Sequence, residues 1–142
     1  MTVLVDTCVW SLVLRRTRVK KVDPYVCEFQ ELVKELRVQM IGPIRQEVLS
    51  GIRTNAQFSK LRDHLRAFPD LELTPSDYER AAEMLNRARS QGIQGSNTDF
   101  LICAISERHK LPVFTTDKDF PRFQKHIPIQ LHVPRSLGAS AS

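Results

Sequence analysis

Four short β-rich apolar runs, TVLV, VQMIG, LEL and PVFTT, are each followed by a segment of helical periodicity, and a fifth run, IQLHV, closes the series. Parallel strands need a crossover long enough to hold a helix, so this alternation directs the chain to an α/β domain on a mainly parallel sheet. A length of 142 residues, 42% of them hydrophobic, suits one domain with one core. The expected domain spans 1–136, and the closing GASAS predicts a disordered tail over 137–142. No apolar run approaches the roughly 18 residues of a membrane span, and a basic-then-apolar leader is missing. A cytoplasmic protein without membrane contact is therefore expected.

Helix starts are written in local chemistry. Asp23-Pro24 and Thr74-Pro75 place a capping residue before a proline suited to the first helical position, with Asp77 in the first turn and Gly92 at the exit. Val26, Phe29, Val33 and Leu36 form one predicted apolar stripe; Phe58, Leu61, Leu65 and Phe68 form another. Cys8, Cys27 and Cys103 are odd in number and widely spaced, which predicts reduced, packed thiols. His64, His109, His126 and His132 lack paired ligand spacing, which argues against a zinc site. Trp10, in the apolar opening of a helix, is expected to pack in the core or a dimer interface.

The first strand ends in a carboxylate, Asp6, and a charge at the mouth of a buried strand loses hydration. Other acids fall at comparable places. Gly42-Pro43 starts a helix in which Ile44, Glu47, Val48 and Gly51 share a face, which aims Glu47 inward. Asp99 lies in the first turn of a helix starting near Ser96 or Asn97 and apolar on more than one side. PVFTTDKDF runs a strand into Asp117, with Asp119 two residues on.

In an open parallel sheet, residues just past strand C-termini line one crevice, where such folds bind ligands. Each acid alone has a structural reading: a turn residue for Asp6, a surface position for Glu47, a helix-dipole partner for Asp99, caps for Asp117 and Asp119. Four carboxylates in one crevice are different, because they repel one another and burial worsens it. Either some bind protons or a cation joins them. Oxygen ligands without histidine or cysteine favour Mg²⁺ or Mn²⁺, and Mg²⁺ commonly completes its shell with phosphate oxygens.

The ordered set VLVDTCVW, IRQEVLSG, SNTDFLICAIS and FTTDKDF resembles the four acidic motifs of PIN domains, and the DTCVW opening in a short chain is similar to VapC-type toxins of toxin-antitoxin pairs. The resemblance spans Val3 to about Leu131. It implies a three-layer α/β/α sandwich, a metal-dependent endoribonuclease producing 5′-phosphate and 3′-hydroxyl ends, inhibition by a cognate antitoxin, and homodimerisation. By position it implies Asp6, Glu47, Asp99 and Asp117 as the catalytic and metal-binding quartet. Thr7, Asn97, Thr115 and Asp119 fall at supporting positions.

Net charge is +5, and setting the quartet aside leaves 12 acidic residues against 21 Lys and Arg, a remainder of +9. Such an excess suits an RNA backbone, with affinity that falls as salt rises. Arg15, Arg16, Arg18, Lys20 and Lys21, together with Arg45, are the expected contacts. Two other readings compete: a non-catalytic RNA-binding or assembly module with the same fold, and a small α/β phosphatase. Four acids present disfavour the first. The second needs two aspartates spaced as in TDKD immediately after the first strand, where DTC lacks the second.

Overall fold

The computed structural model describes residues 1–15 and 23–138. Four parallel strands form one sheet in the order β3-β2-β1-β4: β1 (Val3–Val5), β2 (Val38–Ile41), β3 (Asp70–Leu71) and β4 (Val113–Phe114). Helices flank it: α1 (Thr7–Leu14), α2 (Pro24–Lys34), α3 (Gly42–Leu49), α4 (Asn55–Leu65), α5 (Pro75–Ser90), α6 (Asn97–His109), α7 (Asp119–Gln124) and α8 (Arg135–Gly138). The expected mainly parallel α/β architecture is thus present. Among the described residues no helix is long and apolar enough to cross a membrane.

Strand β1 is buried throughout, as a central parallel strand covered on both faces must be. Its neighbour β2 follows it in sequence, whereas β4 comes from the other end of the chain. The winding direction therefore changes between β1 and β4, and a crevice opens beyond their carboxyl ends. This crevice receives Asp6 and the turn after β4.

Local signals place most helix starts. Asp23 accepts from the backbone N–H groups of Tyr25 and Val26, and Asp77 accepts from Thr74 N at 2.8 Å. Four sequence expectations are corrected. Helix α2 ends at Lys34, and Leu36 lies beyond it with φ +57° and 88% exposure, so Leu32 completes the buried stripe instead. Phe58 is exposed on α4, whereas Phe68, past the helix end, joins Phe29 in edge-to-face contact with Trp10. That places Trp10 in the core. IQLHV contributes only an isolated bridge, Leu131 to Val113, before the chain enters α8 at Arg135. Finally, Leu137 and Gly138, assigned to a tail, close α8; residues 139–142 lie outside the described set.

Helix α8 is held by a buried acid that periodicity would leave on the surface. Glu28 is 3% exposed; its carboxylate accepts from Arg135 Nε at 2.9 Å and from Arg135 Nη2 at 3.1 Å, and lies 2.7 Å from His132 Nε2. Despite burial, these partners hold its carboxyl below the usual range. Glu28→Gln is expected to cost about 1–2 kcal/mol, read as a lower thermal midpoint, because the amide NH₂ meets a donor.

Gly95 fixes the approach to α6. A Cβ there would lie 2.7 Å from Phe123 Cζ and 2.8 Å from Phe100 Cε2, both rings being buried. Gly95→Ala is expected to destabilise the protein by about 1–3 kcal/mol in thermal or urea unfolding.

Candidate active site

A cavity of about 620 Å³ lies in the crevice and is lined by Asp6, Thr7, Cys8, Pro43, Gln46, Glu47, Ser50, Thr98, Asp99 and Asp117. The structure brings all four expected acids to it, from four separate segments. Among the described residues that line it, none is Lys or Arg.

Asp6 ends β1 and caps α1, which explains why a carboxylate tolerates 5% exposure. Its Oδ1 accepts from Thr7 N at 2.7 Å, and its Oδ2 accepts from Thr115 Oγ1 at 2.8 Å and Cys8 Sγ at 3.4 Å. Burial pushes its carboxyl above the ordinary range; the three hydrogen bonds oppose this and the charge of Asp99 adds to it.

Glu47 sits on α3 beside buried Ile44 and Val48, yet it is exposed rather than turned into the core. The helix turns it toward the open cavity, where Oε1 accepts from Thr7 Oγ1 at 2.6 Å. Asp99 occupies the third position of α6. Its Oδ2 accepts from Ser96 N at 3.0 Å, while Ser96 Oγ accepts from Asp99 N at 3.1 Å, a reciprocal capping box. Burial raises the Asp99 carboxyl, the Ser96 bonds oppose that, and Asp117 and Glu47 add repulsion. Asp117 N donates to Thr115 Oγ1 at 3.0 Å, and Asp117 Oδ1 accepts from Asp119 N at 2.9 Å.

Thr7 and Thr115 therefore touch the acids directly. Asp119 does not line the cavity: it is half-exposed, starts α7 and lies 4.0 Å from Arg122 Nη1. Asn97 is exposed and makes no side-chain hydrogen bond among the described residues; Ser96 takes the orienting place expected for it, and Thr98 the place in the wall. The S-x-x-D spacing of a capping box was the signal for Ser96.

Cys8 carried no signal beyond its nearness to Asp6. Its sulfur accepts from Thr116 N at 3.2 Å and lies 3.3 Å from Thr115 Oγ1, joining the β1 and β4 ends.

The expected basic contacts fare differently. Arg16, Arg18, Lys20 and Lys21 lie outside the described residues. Arg15 is exposed at the end of α1, with Nε bonded to Ser11 O. Arg45 is corrected: its guanidinium donates to Asp70 Oδ1 from Nε and Nη2, to Leu65 O from Nη1 and to Phe68 O from Nη2. At 23% side-chain exposure, it ties α3 to β3 and the end of α4, and its donors are committed there rather than free for phosphate.

Among the described residues, no three Asp, Glu, His or Cys side chains are grouped so as to hold a metal ion. The donor chemistry nonetheless fits a hard cation. The cavity offers oxygen ligands, Asp6 and Asp99 are destabilised as anions, and among the described residues of its wall no basic side chain neutralises them.

The PIN domain family model matches residues 3–126. Over 122 residues the chain is 30% identical to the VapC ribonuclease Mb1587 of Mycobacterium bovis, covering 83% of this chain and 88% of that protein. In fold it is similar to VapBC2 from Rickettsia felis bound to a promoter DNA fragment: TM-score 0.72, 19% identity, 93% of this chain and 98% of that one. A toxin-antitoxin complex from Klebsiella pneumoniae gives a TM-score of 0.61 at 20% identity, covering 84% of this chain and 90% of that one. With the strand order, the crevice and the four acids on one cavity, these likenesses establish that the chain belongs to the PIN domain family.

Proposed function

We propose that this protein is a metal-dependent endoribonuclease, the toxin of a toxin-antitoxin pair, hydrolysing RNA phosphodiesters to leave 5′-phosphate and 3′-hydroxyl ends. The observation that carries the reading is that Asp6, Glu47, Asp99 and Asp117 line one cavity at the β1–β4 crevice, with no cationic side chain among the described residues of its wall. Its 30% identity to a VapC ribonuclease over most of both chains supports RNA as the substrate.

Asp6, Glu47, Asp99 and Asp117 would hold Mg²⁺ or Mn²⁺. When bound, such an ion polarises a phosphate and makes a coordinated water more acidic at neutral pH. The chain's own work is orientation. Thr115, Cys8 and the Thr7 amide fix both oxygens of Asp6, Thr7 aims Glu47 and Ser96 anchors Asp99. In the hydrolysis, water oxygen bonds to phosphorus, the bond from phosphorus to the 3′ oxygen breaks, and a proton ends on that leaving oxygen. No histidine lines the cavity, so the proton passes between water and carboxylates. Arg15 and the basic residues 16, 18, 20 and 21 would draw in the RNA backbone. A cognate antitoxin and a homodimer complete the proposal; the K. pneumoniae neighbour, solved as a toxin-antitoxin complex, supports the former.

The test is incubation of purified protein with end-labelled structured RNA over a Mn²⁺ series and in chelator. Cleavage that requires the ion and leaves 5′-phosphate ends is expected. Cyclic-phosphate ends, or undiminished cleavage in chelator, would overturn the mechanism; RNA bound but intact would favour the non-catalytic module.

A further inference from the structure

A second cavity, about 290 Å³, adjoins the acidic one and shares Asp117 with it. Its wall combines the start of α2, the turn after β4 and the chain leading into α8. Three features distinguish it. Tyr25 has its ring stacked on Phe114, 5.6 Å between centroids and 16° between planes, while its hydroxyl has no hydrogen-bond partner among the described residues. Val133 brings an apolar side chain, 56% exposed, to the rim, and Pro121 adds a rigid apolar surface. Lys118, exposed between Asp117 and Asp119, has no ion-pair partner among the described residues.

A nucleobase presents apolar faces and a hydrogen-bonding edge, and single-stranded RNA is read by packing those faces and pairing that edge. The cavity offers both kinds of contact beside the ammonium group of Lys118. Because Asp117 lines both cavities, a strand whose phosphate enters the acidic one has an adjoining base within reach of the other. We propose that this second cavity is a base subsite, taking a nucleotide that flanks the scissile phosphate and setting sequence preference there. In it the Tyr25 hydroxyl reads the base edge, Val133 and Pro121 pack the faces, and Lys118 meets the neighbouring phosphate. The inference rests on the endoribonuclease reading of the acidic cavity.

The experiment compares wild type, Tyr25→Phe and Val133→Glu on RNA randomised at the nucleotides either side of a cleaved bond. Tyr25→Phe keeps the ring on Phe114, and Val133 is exposed, so both variants should fold; equal thermal midpoints would verify this. Wild type is expected to prefer one base at one flanking position, and Tyr25→Phe to relax that preference on the order of tenfold in kcat/KM. Val133→Glu should act mainly through KM. Equal preferences in all three proteins, or none in wild type, would overturn the subsite while leaving the nuclease reading intact. Should wild type cleave no RNA, that reading fails instead. A titration with the four nucleoside 5′-monophosphates, followed by amide NMR shifts, then decides the cavity alone: shifts at Thr116, Lys118 and Val133 support it, and their absence overturns it.

Discussion

Asp6→Asn is expected to lower metal-dependent RNA cleavage about 10³-fold while leaving the fold intact. Asp6 is the most buried acid of the cavity and the one whose two oxygens are both engaged. An amide keeps one acceptor, which can stay on Thr7 N. Its NH₂ then faces Thr115 Oγ1, a hydroxyl able to turn and accept. The side chain therefore keeps its place but loses the charge required to hold a cation. Stability should change by less than about 1 kcal/mol, since the mismatched contact is offset by relief from burying an anion. Initial rates on labelled RNA, with circular dichroism as the control on folding, check both parts. Cleavage within threefold of wild type would remove Asp6 from the chemistry.

Asp99→Asn separates two roles that the structure gives one residue. As a helix cap the carboxylate stabilises α6; as one acid among several, half-buried, it destabilises the metal-free fold when ionised. The raised folded-state pKa gives the sign. Relative stability from such a group is present below its unfolded value, near 3.9, and is lost as pH rises through the folded value. At pH 7 in chelator, ionised Asp99 therefore detracts from stability.

The asparagine oxygen can still accept from Ser96 N, so Asp99→Asn should keep the cap, remove the repulsion and raise the thermal midpoint by about 2–4 °C. That gain should shrink as pH falls through the raised folded-state value, where the wild-type group takes up its proton. With Mn²⁺ the order reverses, because wild type gains from binding while the variant has lost a ligand, and cleavage falls at least about 10²-fold. Asp99→Ala, which loses the cap as well, should be less stable than Asp99→Asn by about 1 kcal/mol. A variant Asp99→Asn that melts below wild type at pH 7 in chelator would assign the residue to capping alone.

The sequence by itself determined the parallel α/β plan, the acid at the end of β1 and the starts of α2, α3, α5 and α6, because strand and helix periodicity, proline placement and capping act over a few neighbouring residues. It also placed Asp6, Glu47, Asp99 and Asp117 at one crevice, since strand ends in a parallel sheet share a side. Only the tertiary structure decided what each polar group touches. Arg45 looked free for phosphate until Asp70 and two distant carbonyls took its donors; Ser96, not Asn97, anchors Asp99; and Glu28 is buried with His132 and Arg135, more than a hundred positions away. Periodicity states which way a side chain points, but a buried donor or acceptor is satisfied by whatever folding brings beside it, and that partner is set by packing rather than by sequence spacing.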